Sequence, residues 1–259
     1  MKIILHPKYL SHKEAILQLV ATFFDQGELI VQGSRNTIKS NFLGNQKVNI
    51  KFFAKPGVFK SIIYSFFRST KAKRSFDYAN YLLEHNIRTP FPVAYLEDRN
   101  GWNLLAESYY LCQQLDYDFT IRELIHQPWF VDRNLILQQF AQFTYQMHQA
   151  RINFLDHSPG NTLVVQTGAQ KYDFYLIDLN RMRFEDLSIE QRMDNFKKMW
   201  LSKTMVKVIA KAYAELSGYP EEQLQAILLQ KTTSFKKKIT QKKYLKRKLG
   251  RLYQKKPTS

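Results

Sequence analysis

An α+β chain is predicted, strand-rich before residue 111 and helical after it, on three observations. Apolar and polar residues alternate in short runs such as Lys47 to Phe53, the period of a half-buried strand. From Thr120 onward the apolar spacing becomes three and four residues, clearest over Asp132 to Ala150, where Leu135, Ile136, Phe140, Phe143 and Met147 share a helical face. Among those helices sits a polar run, Asp156-His157-Ser158-Pro159-Gly160-Asn161, followed seventeen residues after the Asn by Asp178.

Taken in order, His12 to Phe24 carries Ala15, Ile16, Leu19, Val20 and Phe23 on one side and stops at Asp25-Gln26-Gly27, which predicts a first helix. Glu28 to Gly33 reads as a strand, Ser34 to Asn45 as a turn with a further strand and loop, and Lys47 to Phe53 as another strand. Val58 to Arg68, aromatic and basic, is expected as an inserted helix. Lys71 to His85 places Phe76, Ala79, Leu82 and Leu83 at helical spacing. Pro90 to Glu97 and Leu104 to Leu111 flank the turn Asp98-Arg99-Asn100-Gly101, the pattern of a hairpin. Past the polar run, Asn161 to Gln166 and Tyr172 to Leu179 read as two strands, and Ile189 to Leu216 and Glu221 to Leu229 as helices. No internal repeat is visible.

With 259 residues, 44% of them hydrophobic and 14% aromatic, the chain has ample material for a core. The predicted organisation is a strand-rich part over residues 1–110, a helical part over 111–230 and a basic tail over 231–259. The formal charge is +17, and twelve of the basic residues lie in that tail, which holds no acid, leaving +5 for residues 1–230. Such a tail is suited to an anionic surface, either phospholipid, lipopolysaccharide or nucleic acid. Cys112 stands alone and cannot form an intramolecular disulfide, no run approaches the length of a membrane span, and the first residues do not make a signal peptide. A reducing cytoplasm is expected.

The polar groups point to phosphoryl transfer. In that chemistry an Asp orients and deprotonates the attacking hydroxyl, an Asn five residues on ligates magnesium, and an Asp at a strand end carries the metal that bridges the phosphates. Asp156, Asn161 and Asp178 have these types in this order; Asx turns are the plain alternative. Val48-Asn49-Ile50-Lys51 fits V-x-I-K, whose lysine reaches the phosphates, although a lysine in an alternating strand is also ordinary surface. Asp77 is chosen as its carboxylate partner, with Glu84 as the rival on the same helical face. Gly33 to Lys39 sits where a glycine-rich loop would cover phosphates but lacks G-x-G-x-x-G. Side-chain contacts from Arg35, Asn36 and Lys39 would have to compensate; a basic hairpin turn is the alternative. His126, His148 and His157 lack metal-ligand spacing, and Ser158 lacks the nucleophile elbow of hydrolases.

In these ordered motifs the chain resembles the lipopolysaccharide kinase family, the Kdo and heptose kinases of the bacterial inner core. The resemblance runs from about Gly33 to Arg183 and includes Lys71 to Ala79, Thr89-Pro90-x-Pro92, Glu107-Ser108-Tyr109-Tyr110 and Ile177-Asp178. It implies a two-lobed protein-kinase-like fold, ATP and Mg2+ as cofactors, Lys51 on the phosphates, Asp77 orienting Lys51, Asp156 as base, and Asn161 and Asp178 as magnesium ligands. Glu107 to Tyr110 would border adenine through backbone. The sequence departs from the kinase pattern at Phe154, where many kinases have the His of H-x-D, and at Asp178-Leu179-Asn180 in place of D-F-G.

The expected function is therefore an ATP- and magnesium-dependent kinase for a Kdo or heptose sugar of the lipopolysaccharide inner core, peripheral on the inner face of the inner membrane. The tail would dock there: Leu245, Leu249, Leu252 and Tyr253 share a helical face beside Lys242, Lys246, Arg247 and Arg251, the composition of an interfacial helix. Two alternatives remain at this level. One is a phosphotransferase for a soluble amino sugar or alcohol, although the basic surplus with Arg181 and Arg183 favours an anionic acceptor. The other is a pseudokinase or anionic-surface scaffold; no nucleic-acid partner is expected, since no RNA-stacking motif is recognisable.

Overall fold

The structure is a computed structural model in which residues 1–34 and 36–254 are described, without the side chains at positions 58, 60, 66, 67 and 249–254. It divides into two units: Met1–Asp118 with Tyr175–Met182, and Phe119–Phe174 with the chain from Arg183 onward.

The first unit is built on β1 (Lys2–Leu5), α1 (Lys13–Ala21), β2 (Glu28–Gln32), β3 (Asn36–Leu43), β4 (Gln46–Phe53), α2 (Val58–Ile62), α3 (Lys71–Glu84), β5 (Pro92–Arg99) and β6 (Leu105–Gln113). The strands form one sheet in the order β1-β5-β6-β4-β3-β2, with every described pairing antiparallel. Alternation explains the two faces. Val48, Ile50 and Phe52 of β4 point into a core with Tyr9, Ile16, Val20, Phe23, Val93, Leu96, Tyr109 and Leu111, which leaves Lys51 on the opposite face. Cross-strand register puts Tyr110 and Tyr95 on that second face beside Lys51, and the Phe76 ring of α3 covers Tyr95 at 5.4 Å between centroids.

Helix α3 starts where its sequence says it should. Thr70 caps it by accepting from the Lys73 N–H, and the same hydroxyl donates to Glu97 at 2.8 Å. Glu97 is buried and also takes Arg99, so a charged network joins the helix start to β5. The inserted segment expected over Val58 to Arg68 is α2 followed by a π-helical turn, Ile63–Phe67.

The second unit contains β7 (Phe119–Thr120), α4 (Ile121–His126), α5 (Arg133–Gln149), β8 (Ile152–Phe154), β9 (Thr162–Gly168), most of β10 (Lys171–Leu176) and β11 (Met182–Phe184), α6 (Ile189–Asn195), α7 (Lys203–Ser217) and α8 (Glu221–Gln254). Its small sheets are β10-β9-β7 and β11-β8. The apolar face of α5, with Ile136, Phe140, Phe143 and Met147 buried, packs on the face of α7 that buries Val206, Ile209 and Tyr213.

Two differences from the predicted elements have physical causes. The single helix expected over Ile189 to Leu216 is broken: α6 passes into a 3-10 turn, Phe196–Met199, and Trp200 turns left-handed at φ 58° before Ser202 caps α7. The helix expected to end at Leu229 instead runs on to Gln254. Leu224, Leu228 and Thr232 of α8 are buried, Phe235 meets Trp200 at 6.0 Å, and Lys236 donates to the Leu201 carbonyl at 2.7 Å. Gly218 lets the chain turn from α7 into α8 at φ 72°, a conformation in which an L side chain is strained.

Candidate functional site

Lys51 and Asp178 meet within the first unit. Lys51 Nζ lies 2.6 Å from Asp178 Oδ1, with the lysine side chain 14% exposed and the carboxylate 41% exposed. The position of Asp178 follows from the chain just before it. The Leu176 N–H donates to the Arg88 carbonyl at 3.0 Å, and the buried Thr89 hydroxyl donates to the Leu176 carbonyl at 2.7 Å. Two residues later Asp178 takes a left-handed φ of 58°, uncommon for a residue with a Cβ though better tolerated by Asp than by most. Asn180 fixes the result, donating to Asp178 Oδ1 at 2.8 Å. Both contacts fall on Oδ1, which leaves Oδ2 turned away from them.

Asp156 and Asn161 are held within the second unit. The Asn161 side-chain amide donates to the Asp156 carbonyl at 2.9 Å, and its N–H closes the turn to the Ser158 carbonyl. With its amide N–H thus used, the Asn161 side-chain oxygen is left as an acceptor. Gly160 lies against the Arg122 guanidinium, where a Cβ would come within 2.5 Å and the arginine side chain would have to shift. Lys198 donates to Asp156 Oδ1 at 2.7 Å and to the Leu155 carbonyl at 2.6 Å. Nothing in the spacing of the sequence pointed to Lys198, which lies 42 residues away and reaches the loop from the 3-10 turn Phe196–Met199 that follows α6.

Phe154, which departs from the kinase pattern, is a core residue that is 1% exposed and contributes about 1.5–3 kcal/mol by burial. The orienting hydrogen bond it cannot make comes from another residue. His157 is fully buried and its Nδ1 lies 2.9 Å from Asn195 Oδ1. Asn195 spends its amide N–H groups on Asn153 Oδ1 and the Phe154 carbonyl, so its oxygen must accept and His157 Nδ1 must donate. Desolvation pushes the His157 imidazole down to about 4 and that of His148, where a second charge beside His157 and Arg192 would be disfavoured, down to about 3. Both rings are neutral structural groups.

Several expected contacts are placed differently. Asp77 pairs with Lys73 at 2.7 Å, one helical turn away, rather than with Lys51, and Glu84 is exposed. Lys39 donates to the carbonyls of Phe24 and Gln26 at 2.9 and 3.1 Å, closing the loop after α1. Asn36 ends a tight turn in which its carbonyl accepts from the Gly33 N–H; Arg35 lies outside the described residues. Ser108 to Tyr110 do not offer backbone to a base: they pair with β4 on one side and β5 on the other, and residues paired on both sides have no free backbone donors. Glu107 stands just outside the β4 pairing, where the β5 register is irregular. Tyr109 is buried and its hydroxyl donates to Glu107 at 3.2 Å. After Gln113 the ladder ends, and the Gln114 N–H bonds the Lys47 carbonyl, so backbone available to a base lies beyond Gln114.

The available oxygens suit a hard divalent cation. Asp178 Oδ2 in the first unit and the Asn161 side-chain oxygen in the second are each, taken separately, of a type that magnesium accepts as ligand. Among the described residues no three His, Cys, Asp or Glu side chains cluster as a metal cage. A cavity of the first unit, about 510 Å3 and lined by Phe53, Lys55, Phe59, Tyr64 and Lys71 among others, does not include Lys51 or Asp178.

The sequence matches no curated protein. Among solved structures, the chain is similar to WaaP in complex with acyl carrier protein, at TM-score 0.64 and 14% identity over 92% of this chain and 99% of that one. It is also similar, more loosely, to the MAP kinase LmaMPK10 from Leishmania major, at TM-score 0.47 and 16% identity over 83% and 65%. The WaaP likeness places the α+β architecture with the kinase-like fold. The model of the lipopolysaccharide kinase (Kdo/WaaP) family matches residues 53–228, most of the chain, and the protein belongs to that family.

Proposed function

We propose that the protein is an ATP- and magnesium-dependent kinase that phosphorylates a hydroxyl of a Kdo or heptose sugar in the lipopolysaccharide inner core. The ion pair of Lys51 with Asp178, two residues 127 positions apart, supports this reading most. Neither side chain needs the other for burial, and the pair joins the two charges that phosphoryl transfer requires in this unit. Bound magnesium would offset charge on the phosphates. Asp178 and Asn161 would hold it, while Lys51 contacts phosphate oxygens. Asp156 would orient the acceptor hydroxyl and take its proton, with Lys198 fixing the carboxylate from the side. For the adenine we propose the backbone of residues 115–118 in place of Glu107 to Tyr110.

The basic helix is proposed to hold the protein at an anionic membrane surface on the cytoplasmic side. Residues 240–248 of α8 are exposed throughout, Tyr244 and Leu245 by 65% and 56%, among Lys242, Lys243, Lys246, Arg247 and Lys248. Such basic residues contribute about 1 kcal/mol each near anionic lipid. The side chains of Leu249, Arg251, Leu252 and Tyr253, and all of Lys255 and Lys256, lie outside the described residues. Among those described, no helix is long and apolar enough to cross a membrane. Because the similar WaaP was solved with acyl carrier protein, a carrier protein is proposed as a partner to be tested by co-purification.

The assay is transfer of labelled phosphate from ATP to purified lipopolysaccharide inner core. Transfer that requires magnesium and is lost in Asp156→Asn is the expected result. Transfer that persists in Asp156→Asn, or its absence from every inner-core acceptor, would overturn the reading.

A further inference from the structure

A cavity of about 220 Å3 opens beside Asp156 within the second unit, lined by Asn153 to Leu155, Arg183, Gln191, Asp194, Asn195, Lys197 and Lys198. Its charge is unbalanced. Of the four charged side chains in the wall three are cationic, and the only carboxylate, Asp194, is already paired with Lys197. Arg183, on β11, is exposed and makes no ion pair among the described residues. Lys198 uses two of its three N–H groups, on Leu155 and Asp156, and keeps one for a ligand. Arg183 is thus the wall cation without a carboxylate partner among the described residues, and Lys198, paired with the carboxylate read as the base, has an N–H to spare beside it.

Pockets that engulf a drug-sized ligand run to roughly 300–1,000 Å3, so this one is sized for a substituent or a single ring. A planar guanidinium with an ammonium beside it is suited to a carboxylate or a phosphate ester. We propose that the cavity is an anion subsite for the acceptor: the phosphorylated sugar, or the one joined to it, bears a carboxylate or phosphate that Arg183 and Lys198 bind. The Lys198 bridge keeps that anion within a few bonds of the hydroxyl facing Asp156. The inference rests on the reading of Asp156 as the acceptor-side base, and it names Arg183 as a specificity residue.

The test uses the full chain and deacylated inner-core oligosaccharide in three forms: native, carboxyl-reduced and phosphatase-treated. Binding is measured by calorimetry without nucleotide, and phosphate transfer is followed separately. Wild type is expected to bind the native form about tenfold to a hundredfold more tightly than one of the two modified forms, the span of a charge-assisted hydrogen bond. Which modified form loses affinity identifies the anion as carboxylate or phosphate. Arg183→Gln, at an exposed position, is expected to abolish that preference. Discriminating binding without transfer would leave the subsite standing and remove the kinase reading. Transfer to all three forms with equal affinity, or the same preference in Arg183→Gln, would overturn the subsite and leave the kinase reading intact. Failure of wild type to bind any form would also overturn it.

Discussion

Replacing Asn195 by Ala removes the group that ties the Asp156 loop to α6. The amide donates to Asn153 Oδ1 at 2.9 Å and to the Phe154 carbonyl at 3.1 Å, and accepts from His157 Nδ1 at 2.9 Å. His157 and Phe154 are 0% and 1% exposed, so water cannot replace the lost partners there. Each buried polar group left unpaired costs about 1–3 kcal/mol, which gives about 2–6 kcal/mol for these two, a large share of the 5–15 kcal/mol typical of a folded domain. Thermal melting should fall by roughly 2–4 °C per kcal/mol for a chain of this size, and urea denaturation should show the same loss with an unchanged slope. Asn195→Asp separates the parts: it keeps the acceptor for His157 but loses both donations, and it sets a carboxylate against the imidazole. The two histidines should then titrate apart in NMR, with His157 moved up. A loss below about 1 kcal/mol in Asn195→Ala would refute the claim that this network fixes the loop.

Acid should destabilise the protein through the same region. His157 and His148 are held down to about 4 and 3 by burial against about 6.5 in an unfolded chain. The unfolded state therefore binds more protons between pH 6.5 and pH 4, and stability falls as pH falls through that window. With a limiting slope of about 1.4 kcal/mol per pH unit and group, reached only below the unfolded value, urea melts should lose roughly 3 kcal/mol between pH 6.5 and pH 5, and a flat profile would contradict the buried neutral rings. Thr89→Val removes the hydroxyl bonded to Leu176 and leaves that carbonyl unpaired beneath Asp178, so unfolding should become easier by about 1–3 kcal/mol; an unchanged midpoint would argue against this anchor. Lys51→Met should cost no more than about 1 kcal/mol of stability, because Asp178 is largely exposed, yet lower transfer by about a hundredfold to a thousandfold. Loss of fold in that variant, or retained transfer, would contradict the division of roles.

Much of the architecture was legible because it follows from local patterns. Alternation over Lys47 to Phe53 put Val48, Ile50 and Phe52 in the core and Lys51 on the other face, and the spacing in α5 set which residues are buried. What was not legible depends on long-range pairing. Sequence spacing cannot say that Lys73 rather than Lys51 takes Asp77, since an i, i+4 neighbour always competes for a helical carboxylate. Nor could it say that Ser108 to Tyr110 are paired on both sides, because that depends on which strands flank β6. The break at Trp200 carries no Gly or Pro; Ser202, as cap of α7, was the only local sign. Lys198 and Asn195 became readable only through the contacts they make with the loop.

The central claim is that Asp178 holds magnesium for a nucleotide that Lys51 contacts. Calorimetric titration of the full chain with ATP, with and without magnesium, beside Asp178→Asn, tests it most directly. The account predicts magnesium-dependent binding that weakens at least about tenfold in the variant, as loss of a charge-assisted contact requires. Folded protein that binds no ATP, or a variant that binds Mg-ATP as wild type does, would contradict it.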